Sequence, residues 1–157
     1  DLSGRVEGRG LGNVVTHLEA GGAITGSAGV RVRVAADLGY ALDGERQLTL
    51  GADTGLRGYD PHTFDGTSRL VANAEWRRRM TGELLHVAAL GFTAFADCGK
   101  SWGARVGPST EGWRSDIGAG LLVELTRSSS VRIVRFEVAF ADRGGGPVYL
   151  ITTDSLF

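Results

Sequence analysis

"GLRGYDPHTFDGTSRLVANAEWR", residues 55–77, joins a Gly-rich charged loop to a strict apolar/polar alternation. From Arg69 onward, Leu70, Ala72, Ala74 and Trp76 fall on one side of a period-two ladder, and Arg69, Asn73 and Glu75 fall on the other. A helix would mix those two sets, so the spacing predicts a strand with one wet and one apolar face. The loop that leads into it places Arg57 between Leu56 and Gly58. Read alone, Arg57 is a solvated loop residue beside a turn glycine, so its meaning depends on the strands around it.

The same alternation recurs along the chain. In 29–42, Val30, Val32, Val34, Ala36, Leu38, Tyr40 and Leu42 oppose Arg31, Arg33, Asp37 and Gly39. In 115–125, Ile117, Ala119, Leu121, Val123 and Leu125 oppose Asp116, Gly118, Gly120 and Glu124. In 132–141, Val134, Phe136, Val138 and Phe140 oppose Arg135 and Glu137. Residues 13–24, 86–99 and 148–157 alternate less cleanly and bring the expected strands to about seven. Twenty-five Gly against three Pro, with 42% hydrophobic residues, suits strands joined by turns.

Composition removes several function classes. Seventeen basic and eighteen acidic residues leave a net charge of -1, so no global field points to nucleic acid. The lone Cys98 excludes an internal disulfide and a cysteine metal cluster, and the three His lack the spacing of a zinc site. No apolar run approaches the ~20 residues of a membrane helix. The chain opens "DLSGRVEGRG", without Met or an apolar signal segment, and is expected to be processed or cut from a longer protein.

Alternating strands fit a soluble antiparallel sandwich or barrel as well as a membrane barrel. Several segments here run ten residues or more, the length of a tilted membrane-crossing strand, and their polar faces carry Arg, Glu and Asp in mid-strand as a barrel lumen would. Connection lengths also alternate. Residues 25–29, 81–83 and 127–130 are short, whereas 43–68, 100–113 and 142–147 are longer. Outer-membrane barrels have short periplasmic turns and longer extracellular loops, which puts Phe157 at the periplasmic end.

"LRGY" in a long loop, then "NAEWR" on the next strand and "FADCGKSW" on the one after, resembles the bacterial surface antigen family, which includes BamA- and TamA-type factors and two-partner secretion transporters. The resemblance covers essentially all of residues 1–157 and corresponds to the C-terminal part of that family's barrel. It implies that Leu56, Arg57, Gly58 and Tyr59 form the tip of an inward-folding loop, 43–68. It further implies that Arg57 pairs with Glu75 and Asp97 inside the lumen. Tyr149, Ile151 and Phe157 match its C-terminal assembly signal. Leu56 departs from a frequent β-branched residue, and Asp154 from a common glycine.

Arginine suits that role because its planar fork meets carboxylates bidentately and holds its proton. Glu75 and Asp97 could instead be an acid/base pair, but nothing adjacent supplies a nucleophile or a metal shell. Ser101, His86 and Asp97 lack a nucleophile-elbow context, and Arg77–Arg79 close a strand beside a short turn. Cys98 reads as a small filler on the lipid face, and Trp76, Trp102 and Tyr40 as members of interfacial belts. The sequence therefore predicts an all-β fold: the C-terminal portion of an antiparallel transmembrane barrel in the bacterial outer membrane, unclosed by itself. The resemblance implies that this barrel inserts outer-membrane proteins or translocates polypeptides, with no catalytic residue, metal or cofactor. Its expected partners are outer-membrane lipid, unfolded or nascent polypeptides and POTRA domains of the same parent chain. The alternatives are a passive barrel anchoring an upstream patatin-like lipase, and a soluble β-barrel or sandwich that binds a small ligand.

Overall fold

The computed structural model describes residues 2–7, 10–42, 47–80, 87–104, 107–110, 112–125 and 133–153, with side chains from residue 13 onward. In chain order the strands are β1 (Leu2–Glu7), β2 (Gly10–Ile24), β3 (Ala28–Tyr40), β4 (Leu48–Leu50), β5 (Phe64–Gly66), β6 (Ser68–Arg79), β7 (Ala88–Trp102), β8 (Arg114–Leu125), β9 (Ile133–Ala141) and β10 (Val148–Thr153). Eight of them form one antiparallel sheet in the order β1-β2-β3-β6-β7-β8-β9-β10. The short pair β4 and β5 forms a separate hairpin within the loop between β3 and β6.

All seven expected segments are strands, and β1 is an eighth ahead of them. The strands β2 and β7 run 15 residues each and β3 runs 13, far beyond the usual five or six. The links of the meander differ in length, from residues 25–27 between β2 and β3 to 103–113 between β7 and β8. Among the described residues β1 and β10 do not pair with each other, so the sheet is open and keeps two edges. The turn segments 81–83 and 127–130, and residues 154–157 with Asp154 and Phe157, lie outside the described residues.

The sheet curls strongly. Glu75 on β6 and Arg135 on β9 have two strands between them, which in a flat sheet would hold their backbones ~14 Å apart, yet their side chains meet. Polarity is inverted across the curl. Its concave side buries Arg57, Glu75, Asp97, Asp116, Arg135 and Glu137, all at most 4% exposed. Its convex side exposes Ile24, Val32, Phe92, Ile117, Phe140 and Tyr149, at 43–79%. One apolar assignment from the alternation is corrected: Leu42 is 2% exposed and turns inward. The strand ends at Tyr40, and Ala41 at φ 49 breaks the period-two course before Leu42.

Candidate functional site: an internal arginine cluster

Residues 47–67 enter the concave face as a structured loop. A 3-10 turn, Ala52–Thr54, stops at Gly55, whose φ of 116 lies in the left-handed region that glycine tolerates best. Two bonds fix the next residues: Leu56 donates its amide to the Gly51 carbonyl at 2.9 Å, and Asn73 Nδ2 donates to the Gly55 carbonyl at 2.7 Å. A small apolar core anchors the loop through Leu50, Leu56, Tyr59, Phe64 and Val71. The Tyr59 and Phe64 rings meet edge-on at 5.2 Å. This core lets a polar tip sit deep inside without depending on charge alone.

Arg57 occupies the centre and is 0% exposed. Its Nε donates to Asp97 Oδ2 at 2.7 Å and its Nη2 to Asp97 Oδ1 at 2.9 Å, a bidentate fork. Its Nη1 donates to Glu75 Oε2 at 3.0 Å and lies 3.6 Å from Glu137 Oε1. The Phe95 ring lies 3.5 Å from the guanidinium carbon, a cation–π contact shielded from solvent. Burial by itself disfavours the Arg57 charge, but Asp97, then Glu137 and Glu75, outweigh it and raise its pKa above the usual value. The guanidinium is a permanent cation.

The inward pattern of β7 explains the local sequence. Phe95, Asp97 and Gly99 alternate on the concave side, giving a ring beneath the guanidinium, a carboxylate for its fork and space beside Leu50 and Leu56. Gly58 is small for a related reason. A Cβ there would come 2.5 Å from Asp116 Cβ and 3.0 Å from the Ala141 amide nitrogen. Close approach to the wall, with no positive φ, is what requires glycine at that position. Tyr59 then points to the β9–β10 connection and donates its hydroxyl to Asp142 Oδ1. Burial, with the Asp142 charge, pushes the Tyr59 phenol up to about 12.

The structure thus brings Arg57, Glu75 and Asp97 together, and it adds residues whose meeting the alternation did not specify. Arg135 Nη2 lies 2.5 Å from Glu75 Oε2 and 3.0 Å from Glu137 Oε1. Arg57, Glu75, Arg135 and Glu137 therefore form a closed ring of alternating charge. Arg77 pairs with Glu75 from its own strand, and Asp116 stands directly across β7–β8 from Asp97. A second cluster holds the loop base: Arg69 Nε donates to Asp37 Oδ2 at 2.6 Å, its Nη1 donates to the Thr49 carbonyl, and His17 Nδ1 is 2.5 Å from Asp37 Oδ1. Alternation had put Arg135, Glu137 and Asp116 on polar faces, and only the curl decides that they converge.

The remaining site residues separate from this cluster. Tyr149 and Ile151 project outward from β10, 79% and 73% exposed, while Phe157 lies outside the described residues, as does His86. Both Asp97 oxygens are engaged by Arg57. Among the described residues no group of His, Cys, Asp and Glu is arranged to hold a metal ion. No protein-family model, no curated protein and no solved structure matches this chain.

Proposed function

We propose that the chain is part of an outer-membrane β-barrel whose parent inserts or translocates polypeptides, with the loop at Arg57 bracing the lumen wall. The observation that carries the reading is the polarity inversion around that arginine. A soluble sheet buries its apolar face; this one surrounds a fully buried Arg57 with carboxylates and turns Val, Leu, Ile and Phe outward. An apolar band of that extent in water is an aggregation surface, whereas lipid solvates it. The loop clasp gives the wall a rigid interior support, and the two unpaired sheet edges offer backbone donors and acceptors to another strand. A client polypeptide in extended form fits that chemistry, and the same edges can pair with further strands of the parent.

The test compares the wild-type parent with Arg57→Ala and Asp97→Ala variants in native membranes. Carbonate-resistant membrane insertion with impaired client assembly or export supports the proposal. Full client assembly by inserted variants would replace it with the passive-anchor reading. A chain that stays monodisperse at high concentration without detergent would sink the membrane reading altogether.

A further inference from the structure

The outward positions of β2, β3 and β6–β10 carry only two charged side chains among the described residues: Arg78, near the short-turn end of β6, and Lys100, near the long-loop end of β7. Both are cations. Each stands two residues from an outward tryptophan on the same strand, Trp76 for Arg78 and Trp102 for Lys100, and each tryptophan is 40% exposed. Phe92, the register partner of Arg78, is also exposed.

The spacing of the two cations is informative. Lys100 pairs with Leu70, so eight residues of β6 separate its level from Arg78. At ~3.4 Å per residue that is ~27 Å along the strand, or ~21 Å along the membrane normal at a strand tilt of ~40°. Long cationic side chains lean outward from an apolar band toward the polar layer, adding a few ångströms at each end. The two charged heads then stand about as far apart as the ~25 Å apolar band of an outer-membrane barrel is tall.

We infer that Arg78 and Lys100 bind lipid phosphate groups at opposite faces of one bilayer and, with Trp76 and Trp102, set the depth at which the wall sits. The inference rests on the membrane reading above and goes further in assigning the lipid chemistry and the residues. Charge complementarity selects the occupant. A protein partner covering this convex face would not require isolated cations at the two rims of one apolar band, whereas lipid phosphates lie just beyond those rims, within reach of a long side chain; Trp76 stands inside the level of Arg78 and Trp102 just outside that of Lys100, both in the interfacial layer that tryptophan favours.

Lys100 is the only lysine in this stretch, and in the parent barrel the 15N-lysine side-chain signal that disappears in a Lys100→Gln variant identifies its Nζ. The parent barrel, with Cys98 as its labelled cysteine, is reconstituted in phosphatidylethanolamine/phosphatidylglycerol bilayers and 15N–31P dipolar dephasing is recorded by solid-state NMR. The expected result is clear dephasing of the Lys100 Nζ signal, together with opposite shifts in depth of a fluorophore on Cys98 in Arg78→Gln and Lys100→Gln variants. An inserted, carbonate-resistant chain with no dephasing, or with both variants shifting the label the same way or not at all, overturns the inference and leaves the membrane reading standing. A chain extracted by carbonate overturns both.

Discussion

Arg135 on β9 and Glu75 on β6 are joined at 2.5 Å across the concave face, and both side chains are fully shielded from solvent. Two intervening strands make this contact a chord across the curl rather than a neighbour pair. Through Glu75 it reaches Arg57, and through Glu137 it returns to β9. The chord ties the curvature of the wall to the seating of the loop.

Arg135→Ala is expected to destabilise the folded chain by about 3–5 kcal/mol, because Glu75 and Glu137 lose a cation that their burial requires, with the lower end applying if water enters. Urea unfolding in detergent measures it. A change below ~1 kcal/mol would mean that the chord does not hold the wall.

Arg57→Ala and Asp97→Ala should each loosen the loop and impair transport by the parent, and the double variant should lose much less than the sum, since either change already breaks the bidentate fork. A double-mutant cycle read by protease cleavage within residues 47–67 gives the coupling. Strict additivity would end the brace hypothesis.

Gly58→Ala is expected to cost about 1–3 kcal/mol by overpacking against the wall, because the added methyl meets Asp116 and the backbone of Ala141. Gly145→Ala provides the control, since a Cβ there meets nothing within 4 Å. Comparable loop proteolysis in the two variants would contradict the close-approach account.

The contact between Tyr59 and Asp142 predicts a pH window. Tyr59 has its pKa raised from the usual ~10 to about 12 by burial and by Asp142. The unfolded chain therefore releases this proton first as pH rises, so the stabilisation is intact below pH ~10 and is lost as pH passes from ~10 through about 12. Asp142 is shifted the other way: burial opposes its charge, but the Tyr59 hydroxyl, the Ser115 and Arg143 amides and the Arg114 charge together outweigh that and lower its pKa, so its contribution falls away in acid. Tyr59→Phe should remove the alkaline dependence and weaken, without abolishing, the acid one, as read by unfolding midpoints from acid to alkaline pH.

Period-two alternation by itself determined seven of the eight strands of the main sheet and their polar and apolar faces. Side-chain direction in an extended chain follows residue parity, so Glu75, Asp97, Arg135 and Glu137 were legible as members of polar faces, and which face turns inward was decided by the curl. The Arg57 pairing with Glu75 and Asp97 was legible only through resemblance to a family motif. Leu42 was misassigned because one left-handed residue, Ala41, ends the alternation without a glycine or proline to mark it. Tertiary structure alone decided the ring that joins β6 to β9, the pressure of Gly58 on Asp116 and the hydrogen bond from Tyr59 to Asp142. Those contacts depend on how far the sheet curls and how deep the loop enters, which are set by packing between segments distant in sequence. Parity tells which residues share a face, and only the curl of the backbone tells what they meet.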